Sequence, residues 1–150
     1  RADPGVTMAV IIDGTGHVLG RLASEVAKRI LRGEAIVVVN AEKTIITGKR
    51  SRVFHVYLAK RERGSTASRM RGIGPLFPRR PDMILRRTIS RMVPHQQARG
   101  REALKRLRVY MDVPAEFKAG PFEVIETAKR PPQGPVMSLG EVSRMLGSKL

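Results

Sequence analysis

Arginine and lysine are concentrated in one stretch of this 150-residue chain. Residues 49–108 hold 18 of the 29 basic residues, 15 of them arginine, but only three of the 13 acidic residues. A guanidinium group can donate two parallel hydrogen bonds to phosphate oxygens. The excess of positive charge in this stretch repels itself until a polyanion neutralises it. The residue types therefore predict binding to phosphate groups, and the favoured partner is a nucleic acid.

The candidate phosphate-binding residues form three groups within that stretch. The first group follows an expected short strand, the second belongs to a helix end and the long loop after it, and the third lies on the next helix and a second loop. The groups are Lys49, Arg50 and Arg52; Arg61, Arg63, Arg69, Arg71, Arg79 and Arg80; and Arg87, Arg91, Arg99 and Arg101. A run of arginines is often only a solvated helix face, but such a face usually interleaves acids, which are scarce here.

A glycine cluster, Gly14, Gly16 and Gly20, lies between an expected strand and an expected helix, where nucleotide-binding proteins hold phosphate. Its G-x-G-x-x-x-G spacing is one residue too long for the dinucleotide fingerprint, and the phosphate-loop pattern is absent from the sequence. A tight turn is the favoured use of these glycines. The amides at the helix start remain an alternative site for a backbone phosphate of RNA, and no cofactor is expected.

Side chains for acid–base or metal chemistry are few. The chain has no cysteine, and His17, His55 and His95 lack neighbours at metal-ligand spacing. We therefore expect no metal and no catalytic residue. His17 and His95 are expected in loops, where they could contact RNA. Asp13 follows a strand, as many catalytic carboxylates do, but capping of the turn or of the following helix is the favoured role.

The apolar pattern predicts an α/β fold that would position these groups. Residues 8–12 and 35–39 are continuous apolar runs typical of buried strands, and 19–32 has apolar residues at i, i+3 and i+4, as in an amphipathic helix. Strand, helix and strand form a parallel crossover unit. Further strands are expected at 44–47 and 109–111.

Three helices are expected in the basic stretch, at 51–63, 82–93 and 100–107. Ser51 and Asp82 are expected to cap the first two, and Met92 is expected on the inner face of the second. Residues 64–81 form a long loop, which is usually functional in a compact domain and which we expect to order on binding.

A single domain is expected, with an N-terminal extension at 1–7, an α/β core at 8–113 and a C-terminal extension at 114–150. Ser138-Leu-Gly-Glu141 matches a capping box and predicts a short helix in that extension. The longest apolar runs have about five residues, against the ~20 needed to span a bilayer. We therefore expect a cytoplasmic protein.

Several blocks, in order along the chain, resemble the large-subunit ribosomal protein L13 family of the archaeal and eukaryotic type. They are VIIDGTGHVLGRLAS at 10–24, TIITGKRSRVF at 44–54, PRRPDMILRRTISRMVPH at 78–95, RGREALKRLRVYMDVP at 99–114 and SLGEVSRMLG at 138–147. The resemblance covers roughly 8–150 and is weaker at 115–135.

The resemblance implies a three-layer α/β/α fold with a mostly parallel four-stranded sheet, long basic loops and a C-terminal tail helix. It also implies a structural, non-enzymatic role in the cytoplasmic large ribosomal subunit. There the protein would bind large-subunit rRNA, contact neighbouring ribosomal proteins and support subunit assembly, with no membrane and no small-molecule substrate as partner. Two alternatives stay open: a nucleotide-binding enzyme using the 13–20 turn, and a non-ribosomal RNA-binding regulator.

Overall fold

The computed structural model describes residues 9–63, 76–129 and 132–149. Its strands are β1 (Val10–Asp13), β2 (Ile36–Val39), β3 (Ile45–Thr47), β4 (Leu107–Val109), β5 (Phe122–Glu123) and β6 (Val136–Ser138). Its helices are α1 (Leu19–Leu31), α2 (Arg50–Glu62), α3 (Pro81–Arg91), α4 (Ala98–Lys105), α5 (Glu126–Lys129) and α6 (Leu139–Met145). None of the helices in these ranges is long and apolar enough to span a bilayer.

Four of the strands form a parallel sheet in the order β4-β2-β1-β5. The crossover between β1 and β2 is helix α1, and Val10 lies opposite Ile36 in the register of the pair. Every residue of β2 is buried, as its continuous apolar run predicts for a central strand. The predicted α/β class, with its mostly parallel four-stranded sheet, is confirmed.

The main core lies between the sheet and helices α1, α3 and α4. The inner face of α1 comprises Leu19, Leu22, Ala23, Val26, Ala27 and Ile30, all buried at helical spacing. The opposite face of the sheet is covered by the chain after β4, where Phe117 packs with Val37 and Val39. This second layer is thin, because its regular part is a single 3-10 turn at Ala115–Phe117.

Several expected elements lie elsewhere in the structure. Strand β3 is not part of the parallel sheet but pairs antiparallel with β6. The strand beside β2 is 107–109, not 109–111, because α4 ends at Lys105 and the chain turns directly into the sheet. The other edge is β5, from the region in which the sequence pattern is weakest. The predicted division at 113/114 stays a prediction, although β5 adds a strand to the sheet.

Two expected caps are wrong, and one is confirmed. Helix α2 begins at Arg50, so Ser51 lies in its first turn and makes no cap hydrogen bond. Helix α3 begins with Pro81 at its first position, which places Asp82 inside the first turn instead of at the cap. Ser138 and Glu141 form the predicted capping box at the start of α6.

Candidate nucleic-acid interface

The glycine turn after β1 is organised around the carboxylate of Asp13. Its Oδ1 accepts hydrogen bonds from the backbone N–H of Thr15 at 3.0 Å, from the Thr15 hydroxyl at 2.7 Å and from the amide of Asn40 at 2.9 Å. Partial burial works to raise the pKa of Asp13, but these hydrogen bonds outweigh it and hold the pKa below its ordinary value. The carboxylate therefore caps the turn and stays ionised.

The glycines of this turn are required by its geometry. A Cβ on Gly14 would lie 3.0 Å from the carbonyl oxygen of Val39 and 3.0 Å from the Thr44 methyl group, and Gly16 has a φ of +72°. By contrast, no atom lies within 4 Å of a Cβ placed on Gly20. The turn is thus used for close packing, and nothing in its geometry favours the nucleotide-binding alternative.

His17 is fully buried, which corrects the expectation that it lies in a loop open to RNA. Its Nε2 accepts a hydrogen bond from the backbone N–H of Ile125 at 3.1 Å, so Nδ1 carries the proton and donates to the Thr15 carbonyl at 3.2 Å. Burial lowers the pKa of His17. His95 and His55 are exposed, and the described residues contain no group of potential metal ligands.

The first basic group surrounds the start of α2. Lys49 is the residue before the helix, Arg50 and Arg52 lie in its first turn, and all three are exposed. The first turn contains no acidic residue, and no side chain caps the helix. Free backbone N–H groups and the positive end of the helix dipole therefore coincide with three cations.

Helix α4 begins in the same way. Gln97 precedes it without a side-chain cap, its first turn has no acid, and Arg99 and Arg101 are exposed there. Arg101 Nη1 donates to the carbonyl of Gln96 at 3.0 Å, which holds this guanidinium beside the preceding loop. That loop lies so close to the helix that a Cβ on Gly100 would be 2.0 Å from the Pro94 carbonyl oxygen.

Two further exposed arginines precede α3. Arg80 pairs with Asp82 at 3.0 Å, with 58% of the Arg80 side chain still exposed. The Arg79 carbonyl accepts a hydrogen bond from the Ser143 hydroxyl at 2.5 Å, which ties this segment to α6 and leaves the Arg79 side chain in solvent. Both guanidinium groups are thus presented on a fixed backbone.

Three further candidates, Arg61, Arg87 and Arg91, lie along a groove between α2 and α3. Arg61 Nη1 donates to the Phe77 carbonyl at 2.8 Å, and the guanidinium of Arg87 lies 4.3 Å from the centre of the Phe77 ring. Arg91 lines the same groove. Met92 also lines it and is 44% exposed, which corrects its expected place on the inner face of α3.

The structure separates some candidates and leaves others undescribed. Arg63 is exposed just after α2, at the opposite end of that 13-residue helix from Lys49. A helix of this length spans ~20 Å, so the two ends cannot bind the same phosphate. Arg69 and Arg71 lie outside the described residues.

Three aromatic or cationic residues of the groove were not among the sequence candidates. They are Tyr57, Lys60 and Phe77, and the Lys60 ammonium lies 5.0 Å from the centre of the Tyr57 ring. Residues 57, 60 and 61 share one face of α2 by their spacing, so the sequence predicts this face. The sequence does not predict that α3 packs opposite it.

Comparisons with known proteins point to one family. A family model described as Ribosomal protein L13 matches residues 7–116. The chain is 49% identical over 140 residues to the large ribosomal subunit protein uL13 of Archaeoglobus fulgidus, covering 91% of this chain and 86% of that protein. It is 43% identical over 141 residues to the protein of the same name in Methanococcoides burtonii, covering 93% and 98% of the two chains.

Proposed function

This chain belongs to the ribosomal protein L13 family, and we propose that it binds large-subunit ribosomal RNA through the exposed cations at the starts of α2, α3 and α4 and through the cations that line the α2–α3 groove. Membership in the family makes it a structural protein of the cytoplasmic large ribosomal subunit and not an enzyme. What we propose beyond family membership is which residues bind the RNA, and the geometry of the helix starts supports this choice.

The observation that carries the proposal is the composition of two helix starts. The first turns of α2 and α4 contain arginines and no acid, and neither helix has a side-chain cap. A cation at a helix N-terminus is unfavourable by about 0.3–1 kcal/mol, because it faces the positive end of the dipole. A phosphate at the same place is stabilised by the free N–H groups and by the arginines together. These starts are therefore suited to anions.

The binding mechanism is electrostatic. Each phosphate neutralised by an arginine releases a counterion, so affinity falls steeply as salt rises. Because the exposed cations lie on helix starts held by the core, their backbone positions are fixed relative to one another, so they can select RNA by the shape of its backbone. Contacts with neighbouring large-subunit proteins and support of subunit assembly belong to the same proposal.

Salt titration of rRNA binding tests the proposal. The triple variant Lys49→Ala, Arg50→Ala, Arg52→Ala should weaken binding to transcribed large-subunit rRNA. It should also reduce the slope of log K against log salt by about two to three, at ~0.7–0.9 per phosphate contact. A matched control removes three exposed cations outside the basic stretch, Arg32→Ala, Lys118→Ala and Lys149→Ala. Equal losses in both variants would mean that only net charge matters.

Sedimentation separates this proposal from that of a non-ribosomal regulator. The tagged chain should travel with the large subunit and remain there after a high-salt wash, because many contacts and RNA folding hold it in place. A chain found only in the light fractions would contradict the ribosomal role. No observation in the described residues favours a nucleotide-binding enzyme.

A further inference from the structure

The groove between α2, α3 and α6 contains a sheltered apolar surface as well as charge. Tyr57, Phe77, Ile84 and Leu146 contribute apolar lining to a volume of about 220 Å³. Pockets for drug-sized molecules begin at ~300 Å³. The groove therefore has room for a single ring system and is too small to enclose a drug-sized ligand.

The charged side chains among the described residues that line the groove are all positive. Lys60 and Arg61 come from α2, Arg87 and Arg91 come from α3, and no acidic residue is found among the described residues that line it. An occupant that is complementary to both features combines a flat apolar group with negative charge on either side.

The groove is organised before anything binds. Arg61 holds the Phe77 carbonyl from α2, while Arg87 covers the Phe77 ring from α3, so one residue joins both walls. The Thr88 hydroxyl donates to the Ile84 carbonyl at 2.9 Å and is satisfied within its own helix. A preformed groove loses little side-chain entropy on binding.

We propose that this groove binds one unstacked nucleobase of a single-stranded RNA segment, with the wall cations binding the phosphates on either side of it. The inference rests on the proposed RNA-binding function and adds a base-recognition site to it. Single-stranded RNA is recognised through unstacked bases placed against aromatic rings and guanidinium planes, and both are present here. An acidic peptide is less well matched. An RNA strand places a phosphate on both sides of every base, whereas a peptide carries a carboxylate only at its acidic residues.

Paired oligomers separate base binding from phosphate binding. The full chain is titrated with a short oligouridylate and with an abasic oligomer of the same phosphodiester length. The two ligands carry equal charge, so any preference comes from the base. We expect the oligouridylate to bind about tenfold more tightly, as stacking of one base on a protein ring allows. The ratio should hardly change with salt.

A groove-filling variant identifies where the base binds. Thr88→Leu fills the groove and leaves every cation in place, so it should remove the preference while keeping the affinity and the salt slope for the abasic oligomer. The matched control is Thr127→Leu, at an exposed threonine on α5, which should keep the preference. Thermal melts of both variants establish that each is folded.

Tyrosine emission provides a readout that does not depend on the filled variant. The chain has two tyrosines and no tryptophan, so in Tyr110→Phe only Tyr57 emits. A base against Tyr57 should quench this emission, and the abasic oligomer should not. Unquenched emission with bound oligouridylate would overturn the proposal.

The other outcomes are also decisive. Equal affinity for the two oligomers overturns the base site and leaves phosphate binding by the cations intact. Binding to neither oligomer overturns it too, and the rRNA titration then decides the proposed function separately.

A peptide with one phenylalanine between glutamates tests the rival occupant, an acidic protein segment. If Thr88→Leu abolishes binding of the peptide and leaves binding of the oligouridylate unchanged, the groove is a protein-binding site. If that variant only raises the melting temperature, the groove is a packing gap.

Discussion

The imidazole Nε2 of His17 accepts a hydrogen bond from the backbone N–H of Ile125 at 3.1 Å, joining residues that are 108 positions apart. The bond connects the turn after β1 to the residue two positions beyond the edge strand β5. A neutral ring is required, because a protonated Nε2 would present a donor to a donor. The junction between the sheet edge and the start of α1 thus depends on the charge state of one histidine.

Stability should therefore fall as the pH falls below the ordinary pKa of histidine. Because burial lowers the pKa of His17 from 6.5, the unfolded chain binds the proton more readily than the folded one. The contribution is complete above pH 6.5 and is lost progressively below it. Urea unfolding at pH 7.5 and pH 5.5 should show a lower midpoint at pH 5.5.

Replacement of the ring identifies the source of this pH dependence. His17→Ala leaves the Ile125 N–H without its acceptor and should cost about 1–3 kcal/mol at pH 7.5, while flattening the profile between pH 5.5 and 7.5. The control His55→Gln, at an exposed position on α2, should keep the parent profile. An unchanged profile in His17→Ala would show that another group is responsible.

Two glycines in helices should respond in opposite directions to alanine. Gly100→Ala places a methyl group 2.0 Å from the Pro94 carbonyl oxygen, and this overlap should cost about 1–3 kcal/mol or more. Gly20→Ala in α1 meets nothing within 4 Å and should stabilise the chain by about 0.5–1 kcal/mol. Melting temperatures measure both. Equal shifts would contradict the close approach at Pro94.

The ion pair between Arg29 and Glu123 should contribute modestly and only above acidic pH. Arg29 Nη1 donates to Glu123 Oε2 at 3.0 Å, and Nη2 donates to Oε1 at 2.5 Å, which fastens α1 to β5. The Arg29 hydrogen bond lowers the pKa of Glu123 below 4.5, so its contribution is complete above that pH and is lost as the pH falls further.

A double-mutant cycle with Glu123→Gln and Arg29→Gln measures this pair. The two side chains are 22% and 39% exposed, so a coupling of about 0.5–1 kcal/mol at pH 7 is expected after solvent screening. It should shrink in high salt. A coupling that does not weaken as the pH is lowered from 7 into the acidic range would contradict the ionic origin.

Removal of Arg79 and Arg80 should affect RNA binding more than folding. The double variant Arg79→Ala, Arg80→Ala keeps the Arg79 carbonyl that Ser143 contacts and loses only the exposed pair with Asp82. Its melting temperature should stay close to that of the parent, since an exposed pair contributes about 0–1 kcal/mol. The rRNA salt slope should become flatter. Unfolding of the variant would assign these residues to the core.

The amino-acid pattern alone determined the β1–α1–β2 unit and the cap of α6. Each depends on neighbours a few residues apart: the apolar spacing of α1, the uninterrupted apolar run of β2, and Ser138 three residues before Glu141. The sequence alone also established that residues 49–108 are strongly basic. Net charge follows from the residue types and does not depend on the fold.

Only the tertiary structure decided the partners across large separations in the chain. A short strand such as β3 can pair with any exposed edge, and its pairing with β6 depends on a segment about 90 residues away. His17 looks like a loop residue until the chain near Ile125 covers it. The groove likewise needs α2, α3 and α6 side by side. Sequence periodicity specifies which face of an element is apolar, but packing free energy selects which element covers that face.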